Sequence, residues 1–119
     1  MAGHAFIEHQ GKKILRLDYT GLTPPETIAL TRKAQQIIAA QPHHPVRLLS
    51  VAPGRITSDV IGALKDFAAK VAPFVLASAV VGASPFVRAA ILLTIVGRGR
   101  FHIEAFDNEG WAKDWLATT

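Results

Sequence analysis

Three short clusters hold the side chains that could do chemistry. His43-His44 is the only adjacent histidine pair in the chain, and two neighbouring imidazoles in a loop hold a metal only when further ligands converge on them. No HxH, HExxH or carboxylate cluster supplies those ligands, so the pair reads as a solvated turn between Pro42 and Pro45. Gly82-Ala83-Ser84-Pro85, with Arg88 one turn further on, lies where a strand hands over to a helix. Parallel-sheet proteins often bind ligands at such a point, anions in particular on free backbone N–H groups. Both phosphate-loop spacings, GxxxxGK[ST] and GxGxxG, are absent, and a turn with Ser84 as a helix cap accounts for the same residues. Thr57-Ser58 is the third cluster, and either residue suits a helix cap. No serine stands in a GxSxG setting, and spacing singles out no base among five histidines. The paired Asp and Glu residues are expected on exposed helix faces rather than at strand ends. These residues imply recognition rather than catalysis, and they call for no cofactor and no metal.

The elements that must position them follow from periodicity. Residues 4–9 and 12–18 read as a β-hairpin around Gln10-Gly11. Thr23, Pro24 and Glu26 form a capping box that opens a helix over 24–40. Gln41-Pro42-His43-His44-Pro45 stops it, because a residue before proline avoids helical geometry. Val46 to Val51 is an apolar run of strand length. Val60, Leu64, Phe67, Ala68 and Val71 then recur at helical spacing, opposite Asp59, Lys65, Asp66 and Lys70. Ala72-Pro73 ends that helix, and Val75 to Val81 is continuous, as a strand covered on both faces would be. A further helix is expected over 85–96, closed by Gly97-Arg98-Gly99-Arg100. Residues 101–106 alternate like a half-covered strand, and Asn108 caps a last helix carrying Trp111, Ala112, Trp115 and Leu116. The order β-β-α-β-α-β-α-β-α predicts one α/β domain with a mainly parallel five-stranded sheet, an N-terminal hairpin and helices on its faces.

Composition narrows the function classes. A chain of 119 residues supports one core, and 50% hydrophobic with 18% charged residues excludes a disordered tail. There are no cysteines, which removes disulfides and thiolate chemistry and suits the cytoplasm. The first residues lack the basic start and apolar stretch of a secretory signal. The net charge of +4 comes from scattered Lys and Arg, without the concentrated patch that nucleic-acid binding needs. Residues 74–96 approach the length of a membrane span with Arg88 as their one charge, but Gly82, Ser84 and Pro85 divide them into a strand and a helix. The helix expected over 85–96 has no wide polar face. Arg88, Leu92 and Val96 share one side of it and are candidates to cover a partner subunit or an apolar ligand.

Tyr19-Thr20-Gly21-Leu22-Thr23, Ala72-Pro73-Phe74-Val75, Ala79-Val80-Val81-Gly82 and Phe106-Asp107-Asn108-Glu109 with Ala112, Trp115 and Leu116 resemble stretches of the STAS-like superfamily, and more narrowly of the small SpoIIAA-like proteins of bacteria. In partner-switching members a serine or threonine at the start of the second helix is phosphorylated within a pattern resembling Asp-Ser-Ser-Gly. The equivalent stretch here is Ile56-Thr57-Ser58-Asp59-Val60, in which Thr57 replaces the aspartate and the glycine is absent. The resemblance makes Ser58, with Thr57 beside it, the phosphorylation candidate. It implies a non-enzymatic module that works by protein contact in bacterial signalling or stress response, as a homodimer or with a regulatory partner. Other SpoIIAA-like proteins resemble lipid-binding folds that touch membranes peripherally. The alternative expectation is therefore a carrier of a small apolar or anionic ligand, held near Gly82, Ala83, Ser84 and Arg88 or beneath the helix expected over 85–96.

Overall fold

A computed structural model describes residues 3–42, 45–82 and 102–119. The helix expected over 85–96 lies outside the described residues, as do His43, His44, Ala83, Ser84, Arg88, Leu92 and Val96.

Strands β1 (Gly3–His9) and β2 (Lys12–Asp18) form the expected hairpin. Gln10 and Gly11 close it at φ 51° and 78°. Two positive φ values in succession give the turn whose twist matches that of its strands, and glycine adopts one of them without strain. Helix α1 (Pro24–Ala39) starts at the predicted box: Thr23 Oγ1 accepts from the Glu26 N–H at 3.3 Å, and Glu26 Oε1 accepts from the Thr23 N–H at 2.9 Å. Strand β3 (Val46–Val51) follows, then α2 (Ser58–Val71), whose cap is Thr57. A 3₁₀ turn, Ala72–Phe74, leads into β4 (Val75–Val81). Strand β5 (His102–Phe106) precedes α3 (Glu109–Thr118), which Asn108 caps by accepting from the Trp111 N–H at 2.9 Å.

The strands lie in chain order, β1-β2-β3-β4-β5, with β1 antiparallel to β2 and all other neighbours parallel. This is the mainly parallel five-stranded sheet with an N-terminal hairpin that the sequence predicts. Side chains alternate between its faces. Leu15 and Leu17 of β2 and Leu48 of β3 join Leu30, Ala34 and Ile38 of α1 and Phe67 and Val71 of α2 in one core. Ile14, Leu49, Ala77, Ala79 and Val81 meet Ala112 and Leu116 of α3 in the other.

Helix α3 approaches closely because β4 offers alanines there. Both of its ends are also tied to the sheet. Arg16 Nε and Nη2 donate to the two carboxylate oxygens of Glu109 at 3.1 and 2.8 Å, and Arg47 donates to the carbonyls of Leu116 and Thr119 at 2.9 and 3.0 Å. Trp115 packs on Phe106 with ring centroids 5.5 Å apart. Trp111 does not join them. It is 61% exposed, because the helix turns it away from the stripe of Ala112 and Leu116.

Ala79 is fully buried under α3. Ala79→Leu should lower stability by about 1–3 kcal/mol through overpacking, measured as a reduced urea midpoint with an unchanged slope.

Candidate functional site

The parallel strands end together. Tyr19 N–H donates to the Val51 carbonyl at 3.1 Å and Ala52 N–H to the Val81 carbonyl at 2.8 Å, so the ladder runs one step past the strands and the exits of β2, β3 and β4 share one end of the sheet. In parallel sheets the crevice outside this carboxyl end is where ligands most often bind. Gly82 leaves β4 there, exposed, at φ +79°. A β-carbon on it would meet nothing within 4 Å, so the backbone conformation is what calls for glycine.

Beneath this end an apolar cavity of about 50 Å³ lies between the sheet and α1 and α2. Leu48, Val80 and Ile103 from the strands and Phe67 from α2 form apolar walls, and Tyr19 and Thr27 contribute hydroxyls. Tyr19 Oη lies 3.0 Å from Thr31 Oγ1, which donates to the Thr27 carbonyl at 2.8 Å. With the threonine proton committed, the phenol is the donor to Thr31. Burial pushes the Tyr19 phenol up to about 12, and the Thr31 hydroxyl, which can turn to donate to a phenolate, offsets part of that. The Thr27 hydroxyl is different: its Oγ1 is buried and has no hydrogen-bond partner. An orphan hydroxyl in a largely apolar cavity, whose lining also includes Ser50 and Ser78, is a polar anchor that a small ligand could satisfy.

On the other side of α2 a groove of about 430 Å³ separates it from α1. Arg32 and Gln35 line its α1 wall; Ser58, Asp59, Gly62 and Asp66 line its α2 wall. Thr57 Oγ1 accepts from the Val60 N–H at 3.3 Å and so takes the capping role. Ser58 is thereby left exposed as the first residue of the helix. The structure brings Ser58 to this groove, with Thr57 beside it as the helix cap, and Gly82 to the same end of the sheet; the remaining predicted site residues lie outside the described residues.

The sequence places Asp18 at the end of a strand without foreseeing its burial: it is 5% exposed at the end of β2. Its Oδ1 accepts from the Thr20 N–H at 2.9 Å and its Oδ2 lies 3.4 Å from Arg16 Nη1. Burial pushes the Asp18 carboxyl up, but the Thr20 hydrogen bonds and Arg16 outweigh it and hold it below its ordinary value. Arg16, with Lys113 assisting, likewise holds Glu109 low against a smaller effect of burial. Asp18 followed two residues later by Thr20 is an Asx-turn signal that the sequence does contain. Every partner in this network is committed to another, which makes it a clamp on α3 rather than a reactive site.

Among the described residues no three His, Cys, Asp or Glu side chains converge to hold a metal, and no helix is long and apolar enough to cross a membrane. Val75–Val81, the first part of the apolar stretch 74–96, is strand β4. No family model, curated protein or solved structure matches the chain.

Two outcomes follow. Tyr19 is the only tyrosine. Its folded value of about 12 stands above the ordinary 10.0, so its contribution to stability is complete below 10.0 and disappears as pH rises from there toward 12. Tyrosinate absorbance should therefore rise together with the loss of folded circular dichroism; free titration of Tyr19 in folded protein would contradict its burial. Thr27→Val should leave the fold intact and raise stability by about 1 kcal/mol in urea denaturation, by removing a buried unpaired hydroxyl.

Proposed function

We propose that this chain is a regulatory module of the STAS-like kind, which acts in the bacterial cytoplasm by protein contact rather than catalysis and assembles as a homodimer. Its contact point is the start of α2. The observation that carries this reading is the division of labour between two adjacent residues: Thr57 caps the helix, and Ser58, at the position the resemblance singles out, is exposed on the groove wall. The element order from the hairpin through β4 also matches what the resemblance implies.

The groove explains how such a contact would switch. Unmodified, it sets Arg32 against Asp59 and Asp66, and Lys70 pairs with Asp66 at 3.2 Å, which brings the charges close to balance. A phosphate on Ser58 would add about two negative charges. The free N–H groups and the dipole of α2 would tolerate the phosphate itself. A partner fitted to the near-neutral groove would meet a strongly negative one.

Affinity capture from the native cells, with wild type, Ser58→Ala and Ser58→Asp as baits, tests this. The expected result is a partner retained by Ser58→Ala and lost with Ser58→Asp, together with phosphate on the tryptic peptide spanning residues 56–65 of the native protein. Capture that is indifferent to both substitutions would remove Ser58 from the contact.

A second reading, a carrier of a small, largely apolar ligand, is favoured by the cavity with its orphan Thr27 hydroxyl. On that reading, native mass spectrometry of the purified protein shows a co-purifying molecule that Thr27→Val loses.

A further inference from the structure

We infer that the outer edge of β1 pairs antiparallel with β1 of a second copy of this chain, about a two-fold axis at Phe6. This deepens the homodimer part of the proposal above and rests on it. Strand β1 ends the sheet, bonded to β2 along one edge from Gly3↔Asp18 to His9↔Lys12. Its other edge pairs with no strand among the described residues. Natural edge strands are blunted by charged side chains, proline, a bulge, extreme shortness or a covering element, since an open edge is a template for another strand. The charge at Glu8 is one that a histidine on a partner strand can answer. β1 has seven residues, no proline and an unbroken one-to-one register.

The register of a second copy follows from the hairpin. Residues flanking a two-residue turn exchange both backbone hydrogen bonds, and the roles alternate along an antiparallel ladder. His9, Ile7, Ala5 and Gly3 therefore bond to β2, and the N–H and C=O groups of His4, Phe6 and Glu8 face the open edge. A two-fold axis at Phe6 sets Phe6 opposite Phe6 of the partner subunit and His4 opposite Glu8 of the partner subunit, twice. Every open amide and carbonyl of these three residues then finds a counterpart.

The side chains agree. His4, Phe6 and Glu8 are all exposed, and a histidine opposite a glutamate is a complementary pair. Phe6, 38% exposed with Lys13 Nζ 4.4 Å from its ring centre, gains an aromatic neighbour across the axis. Moving the axis to Glu8 would oppose two carboxylates.

The absence of cysteine allows a direct test. Phe6→Cys places two thiols on hydrogen-bonded opposite residues, with Cα atoms about 5.5 Å apart and within disulfide range. It should form a covalent dimer under mild oxidation. Glu8→Cys, whose copies would sit about four residue steps or ~13 Å apart, should not. In light scattering the wild type should be a dimer. His4→Glu should weaken it by about tenfold through two opposed carboxylate pairs, and His4→Lys should preserve it. Phe6→Pro, which removes the outward N–H and the ring that meets its counterpart across the axis while leaving the bonds to β2 in place, should give a folded monomer by circular dichroism. A wild type that is monomeric at high micromolar concentration would overturn this pairing and the homodimer together. A dimer that neither cross-links through Phe6→Cys nor dissociates with Phe6→Pro would overturn the β1 edge alone, and either result leaves the Ser58 contact to its own test.

Discussion

Strand β4 is buried along nearly its whole length, with Leu76 the one half-exposed residue, and a strand so placed obliges the chain to lay elements on both faces of the sheet. The two layers solve that demand differently. Helices α1 and α2 cover one face with large side chains, Leu30, Ile38, Phe67 and Val71, standing off the strands. Among the described residues the short α3 alone covers the other by lying close, over Ala77 and Ala79. Close approach brings a second requirement, because Arg16 and Arg47 point from β2 and β3 toward the same layer. A partly buried guanidinium must be paired or it destabilises the fold. The ends of α3 supply the partners: the Glu109 carboxylate at its start and the last carbonyls at its finish. The same helix thus fills the space above β4 and neutralises the charges beside it.

The opposite layer contains polar groups that packing alone does not explain. Tyr19, Thr31 and the Thr27 carbonyl form a closed chain of hydrogen bonds inside the core, and the Thr27 hydroxyl, a few atoms away, is left out of it. A core selected only for stability would hold valine at that position, since an isolated buried hydroxyl costs about 1–3 kcal/mol. Its place on the wall of the cavity at the carboxyl end is what keeps the carrier reading alive beside the contact reading. The two occupy opposite sides of α2, so neither geometry excludes the other.

Most of the fold was legible because its signals are local. The Thr23–Glu26 box, the caps at Thr57 and Asn108, the proline stops and the unbroken run Val75–Val81 each lie within a few residues of the element they define. What the sequence did not display is pairing across long separations. Arg16 and Glu109 are 93 positions apart, and nothing in either neighbourhood points to the other. Asp18 is held by its near neighbours Thr20 and Arg16, but its burial at the end of β2 shows only once the sheet is assembled. Trp111 was grouped with Ala112 and Leu116 for being apolar, though one residue is about 100° of helix rotation. Of the candidate site, Thr57 and Ser58 were named from the sequence, whereas Thr27 was not, since a threonine on the buried face of α1 becomes notable only when its partners fail to appear.

Sheet order also decides how the surfaces combine. The β1 edge and the start of α2 belong to different parts of the molecule: β1 is the first strand of the sheet, while α2 connects β3 to β4 in its interior. A dimer continuous through β1 therefore joins two sheets edge to edge without covering either Ser58 groove. Each assembly would present two grooves at a separation fixed by paired backbone rather than by a flexible linker. A partner that is itself dimeric would engage both at once, and the second engagement would occur at an effective concentration set by that rigid spacing. Adding charge at one Ser58 would then weaken the partner's hold partially and at both would release it, so the number of modified copies, and not only the fraction of modified chains, governs the response.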